Sequence, residues 1–503
     1  MRYRTIAILL ALIFSASIAD GQSVRVTIVH VNDVYQFMPV DGGARGGLGR
    51  VMTIRKRIAA ENPNTIMTLG GDTVSPSVET RTYKGAQMID AWNAVGLDLA
   101  VFGNHEFDIK TAEILSRIKE SKFSWLGANV VDVASGKTFA DTPPYIIRDF
   151  GGAKVGFIGL LLPEAKQTSS MDATVTVTDF CAVAAKYVPE MRKAGAMAVV
   201  GLTHLSMAQD KTLSGCAKFD LILGGHEHSI LQSSANGTPI LKMTSDAREA
   251  GRFDLTFNLK TKTLEGIDWE VIPVTDKIAD DPGFGAVVSK YRELLDKLAV
   301  PVGSTAVTLD GLSISNRSKE TNIGNFIADA YRGAVGADVA LINGGSIRAD
   351  LTYNPGVLTV RDVLSLLPFN NPIVKIELSG RTLRQALEHS VARSGVGEDS
   401  EPGRFPQISG MSFKFDTSKP VGQRIIEIQV GGKAVDENRT YTLATSDFLV
   451  SRGGDGYTMF KEGKVLIGAD SGPKDSDALE KAIRNSPGGR ISPSLEERMV
   501  KVK

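Results

Sequence analysis

Five times in the first half of the chain, a short apolar run rich in β-branched residues ends on polar side chains of metal-binding type. The instances are VRVTIVHVND with Asp33, NTIMTLGGDT with Asp72, LDLAVFGNHEFD with Asn104 and His105, AMAVVGLTHLS with His204, and FDLILGGHEH with His226 and His228. Runs of this length and residue type read as buried strands. Segments between them, such as KGAQMIDAWNAVG and CAVAAKYVPEMRKAG, read as helices. The alternation predicts an α/β fold, and in open α/β sheets ligands bind at the carboxyl ends of the strands. Five strand ends therefore bring aspartate, asparagine and histidine to one edge.

The set says more than its members do. A lone aspartate after a strand is usually a turn former or a helix cap. Here, however, four of the six histidines, at 105, 204, 226 and 228, fall on these loops. His30 lies inside a strand pattern and His389 inside the helical GRTLRQALEHSVARSG, so both read as structural. Oxygen and imidazole donors without thiolate suit Zn, Mn, Fe, Co or Mg better than a structural zinc site. So rich a set can hold two ions bridged by one carboxylate, about 3.5 to 4 Å apart, the arrangement that clamps phosphoryl oxygens and activates water. The expected chemistry is metal-assisted hydrolysis of a phosphate ester.

At 503 residues the chain exceeds one ordinary core of about 100 to 200 residues. Its 42% hydrophobic and 23% charged residues fit a globular protein of at least two domains. Basic and acidic side chains balance at 57 each, which argues against a nucleic acid polymer or an anionic membrane as partner. The N-terminus, MRYRTIAILLALIFSASIADGQS, sets Arg2 and Arg4 before an apolar stretch, with Ser17 and Ala19 at the small-residue places of a cleavage site. Residues 1–19 read as a signal peptide, shorter in its apolar part than the about 20 residues of a membrane span. No later segment reads as a span, so the mature chain is expected to be periplasmic or secreted. Cys181 and Cys216 are the only cysteines. In an oxidising compartment they are free to pair, the alternative being two buried thiols.

In the second half, FGAVVSKYRELLDKLA carries apolar residues at helical spacing with a proline just beyond, and reads as a linker helix within 276–300. It separates a first domain, 23–275, from a second, 301–495. ADVALINGGSIRADL and RTYTLATSDFLVSRGGDGY then run from strand to glycine-rich loop, where backbone can approach a ligand closely.

NDVY, GGDT, GNHEFD, THLS and GGHEH, in this order, resemble the blocks of the calcineurin-like metallophosphoesterases. Followed by ETNIGNFIADA, NGGSIR, LPF and FLVSRGGDGY, they are similar to the 5′-nucleotidase family, which includes periplasmic UDP-sugar hydrolases. The resemblance spans nearly the whole mature chain. It implies a first domain built as a sandwich of two mixed β-sheets flanked by helices, the linker helix, and a second α/β domain that binds substrate. It implies two divalent metal ions, Zn, Mn, Co or Mg, with Asp33 and His228 on the first, Asp72 bridging, and Asn104, His204 and His226 on the second. It makes His105 the group that stabilises the phosphoryl transition state or protonates the leaving oxygen, oriented by Asp108, and leaves Glu106 and Phe107 structural. In the second domain it assigns Arg317, Asn343 and Arg348 to the nucleotide's polar parts, Phe369 and Phe448 to the base, and Asp455 to the ribose hydroxyls. One position departs from the family: Tyr35 stands where a histidine ligand is usual, so that site is expected to bind its ion less tightly or to take a different one.

The implied activity is hydrolysis of nucleoside 5′-monophosphates, by a monomer or homodimer. Hydrolysis of a UDP-sugar or of a 2′,3′-cyclic nucleotide uses the same metals, and a weakly catalytic nucleotide-binding protein is the reading from another class. His105 and Asp108 argue against the last, and Tyr35 is the feature that favours it.

Overall fold

A computed structural model of the chain describes residues 23–395 and 403–502, so the expected signal peptide, 1–19, lies outside the described residues. The first apolar run forms the strand Ser23–Val31, from which one six-stranded sheet grows on both sides. Thr65–Leu69, Leu99–Val101 and Ser124–Leu126 add in parallel on one side, and Glu249–Asn258 and Thr263–Pro273 add antiparallel on the other. The second sheet has four parallel strands, Ala153–Leu161, Ala198–His204, Leu221–Gly224 and Thr238–Lys242, with Tyr145–Phe150 and Leu231–Ala235 antiparallel at its edges.

Alternation along each strand explains why the runs are apolar throughout. Val26 and Ile28 point into a cluster between the two sheets, which they share with Phe157, Val200 and Leu202. Val29 and Val31 point the other way, into a cluster with Val51 and Ile54 of the helix Leu48–Glu61 and Trp92 of the helix Ala86–Val95. A strand buried on both faces has no polar side to show. The first domain is thus the expected sandwich of two mixed sheets flanked by helices, and the carboxyl ends of its parallel strands open onto one loop layer.

The expected linker helix forms as Gly285–Leu298. It does not stand free between domains: Phe284, Val287 and Tyr291 belong to the apolar core of the first domain, with the Tyr291 ring 5.8 Å from that of Phe37. Lys290 Nζ lies 2.5 Å from Asp90 Oδ2 on the same face.

The second domain is also α/β. Its five-stranded sheet runs in the order Pro406–Ser409, Val339–Asn343, Thr440–Ser446, Ile373–Ser379, Lys464–Ile467, and the helix Asn322–Val335 packs on it. A smaller sheet includes Met411–Phe415 and, parallel to it, Met499–Lys501, which lies past the expected boundary at 495. After Thr440–Ser446 the chain makes one helical turn, Asp447–Ser451, before the glycine-rich loop, so Phe448 sits on a helix rather than at a strand end. Polar contacts join the domains: Arg81 Nη2 donates to Asn370 Oδ1 (2.5 Å), Arg361 Nη1 to Glu79 Oε1 (3.0 Å), and Arg248 Nη2 to the carbonyl of Asp350 (3.3 Å).

Cys181 and Cys216 are paired, with Cα atoms 5.2 Å apart, and tie the helix Phe180–Lys193 to the helix Met207–Cys216. The alternative of two buried thiols does not hold; both residues are half-buried. The bridge closes a loop of sequence separation 35, for which chain entropy gives roughly 2 to 4 kcal/mol. All three tryptophans, Trp92, Trp125 and Trp269, lie in the first domain and report its unfolding. The double variant Cys181→Ser, Cys216→Ser is expected to lower the denaturant midpoint followed by tryptophan fluorescence, and an unchanged midpoint would show that the bridge adds nothing.

Candidate metal centre and active site

Each expected ligand sits at or just past a strand end, and the backbone there is bent to aim it. Asp33, Asp72, His226 and His228 have φ of 54°, 56°, 90° and 60°. Left-handed backbone at residues other than glycine costs of order 1 to 3 kcal/mol each, and such strain collects at functional sites. The surroundings hold these turns in place. Asn32 Nδ2 donates to Asp33 Oδ2 (2.7 Å) and to the carbonyl of Met243 (3.0 Å), and the backbone N–H of His226 donates to Asp33 Oδ2 (2.9 Å). The fully buried Glu106 accepts from the backbone N–H groups of Asp72 (3.0 Å), Thr73 (2.6 Å), Val74 (3.1 Å) and Gly103 (2.6 Å). Burial and the nearby Asp72 charge still push its carboxyl up to about 7, against these four donors. Gly103 has to be glycine, because a Cβ there would run into the Asp72 carboxylate.

The loops bring the donors into one buried cluster. Atoms of Asp33, Asp72 and His204 all lie within 4.8 Å of one another. His204 Nε2 is 3.2 Å from Asp72 Oδ2, His228 Nε2 is 3.3 Å from Asp33 Oδ1, and the rings of His204 and His226 are 5.2 Å apart. His204 Nδ1 donates to the carbonyl of Gly70 (2.8 Å), which turns Nε2 toward the cluster, as in many metal-ligating histidines. Two buried atoms here, His204 Nε2 and Asn104 Oδ1, have no hydrogen-bond partner. Buried polar atoms are nearly always paired. Two orphans aimed beside two carboxylates fit a divalent cation.

The electrostatics agree. Burial alone would raise Asp33, but the adjacent His228 holds it down, to about 2. Asp72 is likewise held well below the usual carboxylate range, against burial, by His204 and His105. Burial works against a charge on His204, yet Asp72 and Asp33 draw it up to about 10. His226 goes the other way, pushed well below the ordinary range by burial and by the charge on His204. The cluster attracts positive charge at its centre and leaves His226 neutral.

His105 is placed differently from the ligands. It follows Asn104 in the short helical turn Asn104–Asp108, and its backbone N–H donates to Asp72 Oδ1 (2.8 Å). Its Nδ1 donates to Asp108 Oδ2 (2.7 Å), which also accepts from Ser75 Oγ (3.2 Å), so Nε2 is left toward the open side. That atom is 4.0 Å from Asp72 Oδ2.

One cavity of about 730 Å3 joins the two domains. Asp72, Asn104, His105, Asp108, His226 and His228 line it, while Asp33 and His204 are fully buried and cluster with Asp72. From the second domain Arg317, Asn343, Arg348, Phe369, Phe448 and Asp455 line it too. Asn343 Nδ2 donates to Asp455 Oδ2 (2.6 Å), and His389 Nε2 to the carbonyl of Asp455 (2.8 Å). The Phe448 ring packs where a Cβ on Gly454 would be, and the Phe369 ring lies 5.8 Å from that of His105. Arg348 sits over the ring of Tyr35 at 5.2 Å, with one guanidinium nitrogen buried and unpaired.

The sequence profile of the calcineurin-like phosphoesterases matches residues 26–229, and that of the 5′-nucleotidase C-terminal domain matches 301–462. The chain belongs to the 5′-nucleotidase family. Members of this family are phosphoric ester hydrolases. The chain is 30% identical to the trifunctional nucleotide phosphoesterase protein YfkN of Bacillus subtilis over 95% of its length, but spans only 35% of that protein. It is 27% identical to the snake venom 5′-nucleotidase of Naja atra, covering 95% of this chain and 99% of the venom protein. The solved structure of a 5′-nucleotidase precursor from Thermus thermophilus superposes with a TM-score of 0.87 at 26% identity, covering 95% and 99% of the two chains.

Several residues around this cluster have supporting roles that the sequence blocks do not mark. Asn32 and the N–H acceptor role of Glu106 are two of them. A third is Lys242, 1% exposed, which meets Asp210 Oδ2 (2.9 Å) and Glu227 Oε2 (2.5 Å) and so anchors the residue between His226 and His228. The signal for it was a lysine inside the apolar TPILKM. Arg404 also lines the cavity, in a segment with no block to mark it.

Because His204 keeps a proton up to about pH 10 without an ion, a cation entering there has to displace it. Affinity for Zn or Mn is therefore expected to rise about tenfold per pH unit between roughly pH 6 and 9, with one proton released. Calorimetric titration in buffers of different ionisation enthalpy reads this directly. A pH-independent affinity without proton release would contradict it.

Proposed function

We propose that this chain is an exported, metal-dependent 5′-nucleotidase that hydrolyses nucleoside 5′-monophosphates to nucleoside and phosphate. The observation that carries the reading is one cavity lined both by members of the buried carboxylate and imidazole cluster and by two phenylalanines of the second domain. Such a cavity suits a ligand with a phosphate at one end and a flat ring at the other. Export rests on the signal-like residues 1–19 and on likeness to a venom enzyme; among the described residues no helix is long and apolar enough to cross a membrane.

Asp33 and His228 would hold one ion, Asn104, His204 and His226 a second, and Asp72 both. Bound there, two divalent ions supply Lewis-acid chemistry, polarising a phosphoryl oxygen and making water nucleophilic at neutral pH. The chain's own residues do the rest. Asp108 fixes the His105 ring so that Nε2 can donate to the phosphoryl group or to the leaving ribose oxygen. Arg348 brings positive charge to the phosphate end, and Arg317 and Asn343 contact the polar parts of the nucleotide. Asp455 accepts from the ribose hydroxyls, and Phe369 and Phe448 grip the base. We assign 23–275 to catalysis, 276–300 to the connecting helix, and 301–495 with the strand after it to substrate binding. UDP-sugars and 2′,3′-cyclic nucleotides place other phosphorus groups at the same cluster, and product analysis with UDP-glucose, 2′,3′-cAMP and AMP separates these activities.

If His105 acts on the transition state without holding metal, His105→Asn should lower kcat by roughly 10² to 10⁴ with metal content unchanged. Loss of an ion in that variant would make His105 a ligand instead. Asp108→Asn should be milder, since it disturbs orientation only.

Stacking on an aromatic platform contributes about 1 to 3 kcal/mol per base. Phe369→Ala and Phe448→Ala are thus expected to reduce kcat/KM for AMP by roughly 5 to 150 fold while sparing p-nitrophenyl phosphate, which has no base. Equal loss on both substrates together with earlier melting would mean that the rings are core residues.

A further inference from the structure

The glycine-rich loop of the second domain holds Asp455 in a backbone shape that the loop alone does not secure. Its φ is 50°, in the left-handed region. Within the turn, the N–H groups of Gly456 and Tyr457 bond back to the carbonyls of Gly453 (3.0 Å) and Gly454 (3.1 Å). The Asp455 carbonyl goes elsewhere, to His389 Nε2 at 2.8 Å. Glycine on each side makes room for a ring. A Cβ on Gly454 would lie in the Phe448 ring, and one on Gly456 would stand 2.8 Å from His389 Cε1. Asp455 is bracketed by two rings, and the imidazole also bonds its backbone.

His389 lies in the last turn of the helix Gly380–Ser390, and its ring meets that of Tyr457 edge-on at 5.0 Å. The Tyr457 hydroxyl donates to the carbonyl of Arg404 (2.6 Å) and lies 2.7 Å from Ser390 Oγ. Two neighbouring residues of one helix therefore brace two segments that line the cavity, at Asp455 and at Arg404. A carbonyl can only accept, so Nε2 carries the ring's proton. Burial, with Arg404 and Arg393 acting the same way, lowers the tendency of the ring to take up a second one.

We propose that His389 is a positioning residue that sets selectivity for nucleotides with free ribose hydroxyls. It holds the Asp455 carbonyl, that bond fixes the left-handed turn, and the turn keeps the carboxylate on Asn343 at the cavity wall. Direction matters because a hydrogen bond weakens steeply as its angle falls toward about 120°. The proposal rests on the nucleotidase reading, which assigns Asp455 to the ribose, and deepens it by naming the residue that keeps Asp455 in place.

The test uses the full mature chain with manganese added, and compares AMP with 2′,3′-dideoxy-AMP, which lacks both hydroxyls. His389→Leu keeps the helix and the bulk but has no donor. In it the ratio of the two kcat/KM values is expected to fall about tenfold or more, the usual size of one hydrogen bond to a charged group, through KM for AMP. His389→Asn, whose amide is too short to reach the carbonyl, should behave alike. His389→Gln, whose amide reaches the place of Nε2, should restore the ratio. Should His389→Leu melt early, the Asn and Gln variants carry the same comparison. In an Asp455→Ala background His389→Leu should lower the ratio no further. Equal loss on both substrates, an unchanged ratio, or no rescue by His389→Gln would each overturn the proposal. Calorimetric binding of adenosine and 2′,3′-dideoxyadenosine repeats the comparison without catalysis, and a parent that does not distinguish them overturns it as well. A preference for adenosine that His389→Leu abolishes, in protein that hydrolyses no nucleotide, defeats the nucleotidase reading alone. AMP hydrolysis with an unchanged ratio defeats the His389 proposal alone.

Discussion

Much of the candidate site converges on the Asp72 carboxylate. One oxygen accepts from the His105 backbone and the other faces His204, Tyr35 and, farther off, His105 Nε2. Asp72 comes from the first sheet and His204 from the second, so this carboxylate also joins the two layers of the sandwich. Its own position depends on Glu106, an acid with no access to water that gathers four backbone N–H groups of two neighbouring loops. Burying a carboxyl this way is costly unless every lone pair is met. Losing any one of those donors would therefore loosen both loops, and with them every side chain placed against Asp72.

The polar cluster was legible because a strand buried on both faces leaves polar residues only at its end, and five such ends in one sandwich must share an edge. Asp33, Asp72, Asn104, His204, His226 and His228 all stand there. The supporting residues were not legible because their meaning lies in distances between segments far apart in the chain. Asn32 works through Met243, and Glu227 works through Lys242 and Asp210, which no local pattern announces. The pairing of Cys181 with Cys216 depends in the same way on how two helices lie against each other. Phe369 and Phe448 could be placed by their blocks, but that both face the same cavity as His105 is a fact of domain arrangement.

That arrangement divides the work by chemistry. The first domain brings carboxylates and imidazoles to the cavity, and the second brings flat rings, an amide, several arginines and Asp455. Arg348 crosses the divide: it belongs to the second domain and rests on Tyr35 of the first. An anion at the cluster would be felt by this side chain of the second domain.

The connecting helix has a mechanical consequence. With Phe284, Val287 and Tyr291 sunk in the first domain's core, Gly285–Leu298 is part of that body and cannot swing without exposing them. Any turning of one domain against the other is left to the few residues between Leu298 and the strand that starts at Pro301. The helix then acts as a fixed axle whose length sets the phase of what it carries. Adding one residue after Tyr291 would rotate the chain that leaves the helix by about 100° and advance it by about 1.5 Å, a change that the contacts of Arg348 with Tyr35 and of Phe369 with His105 could not follow.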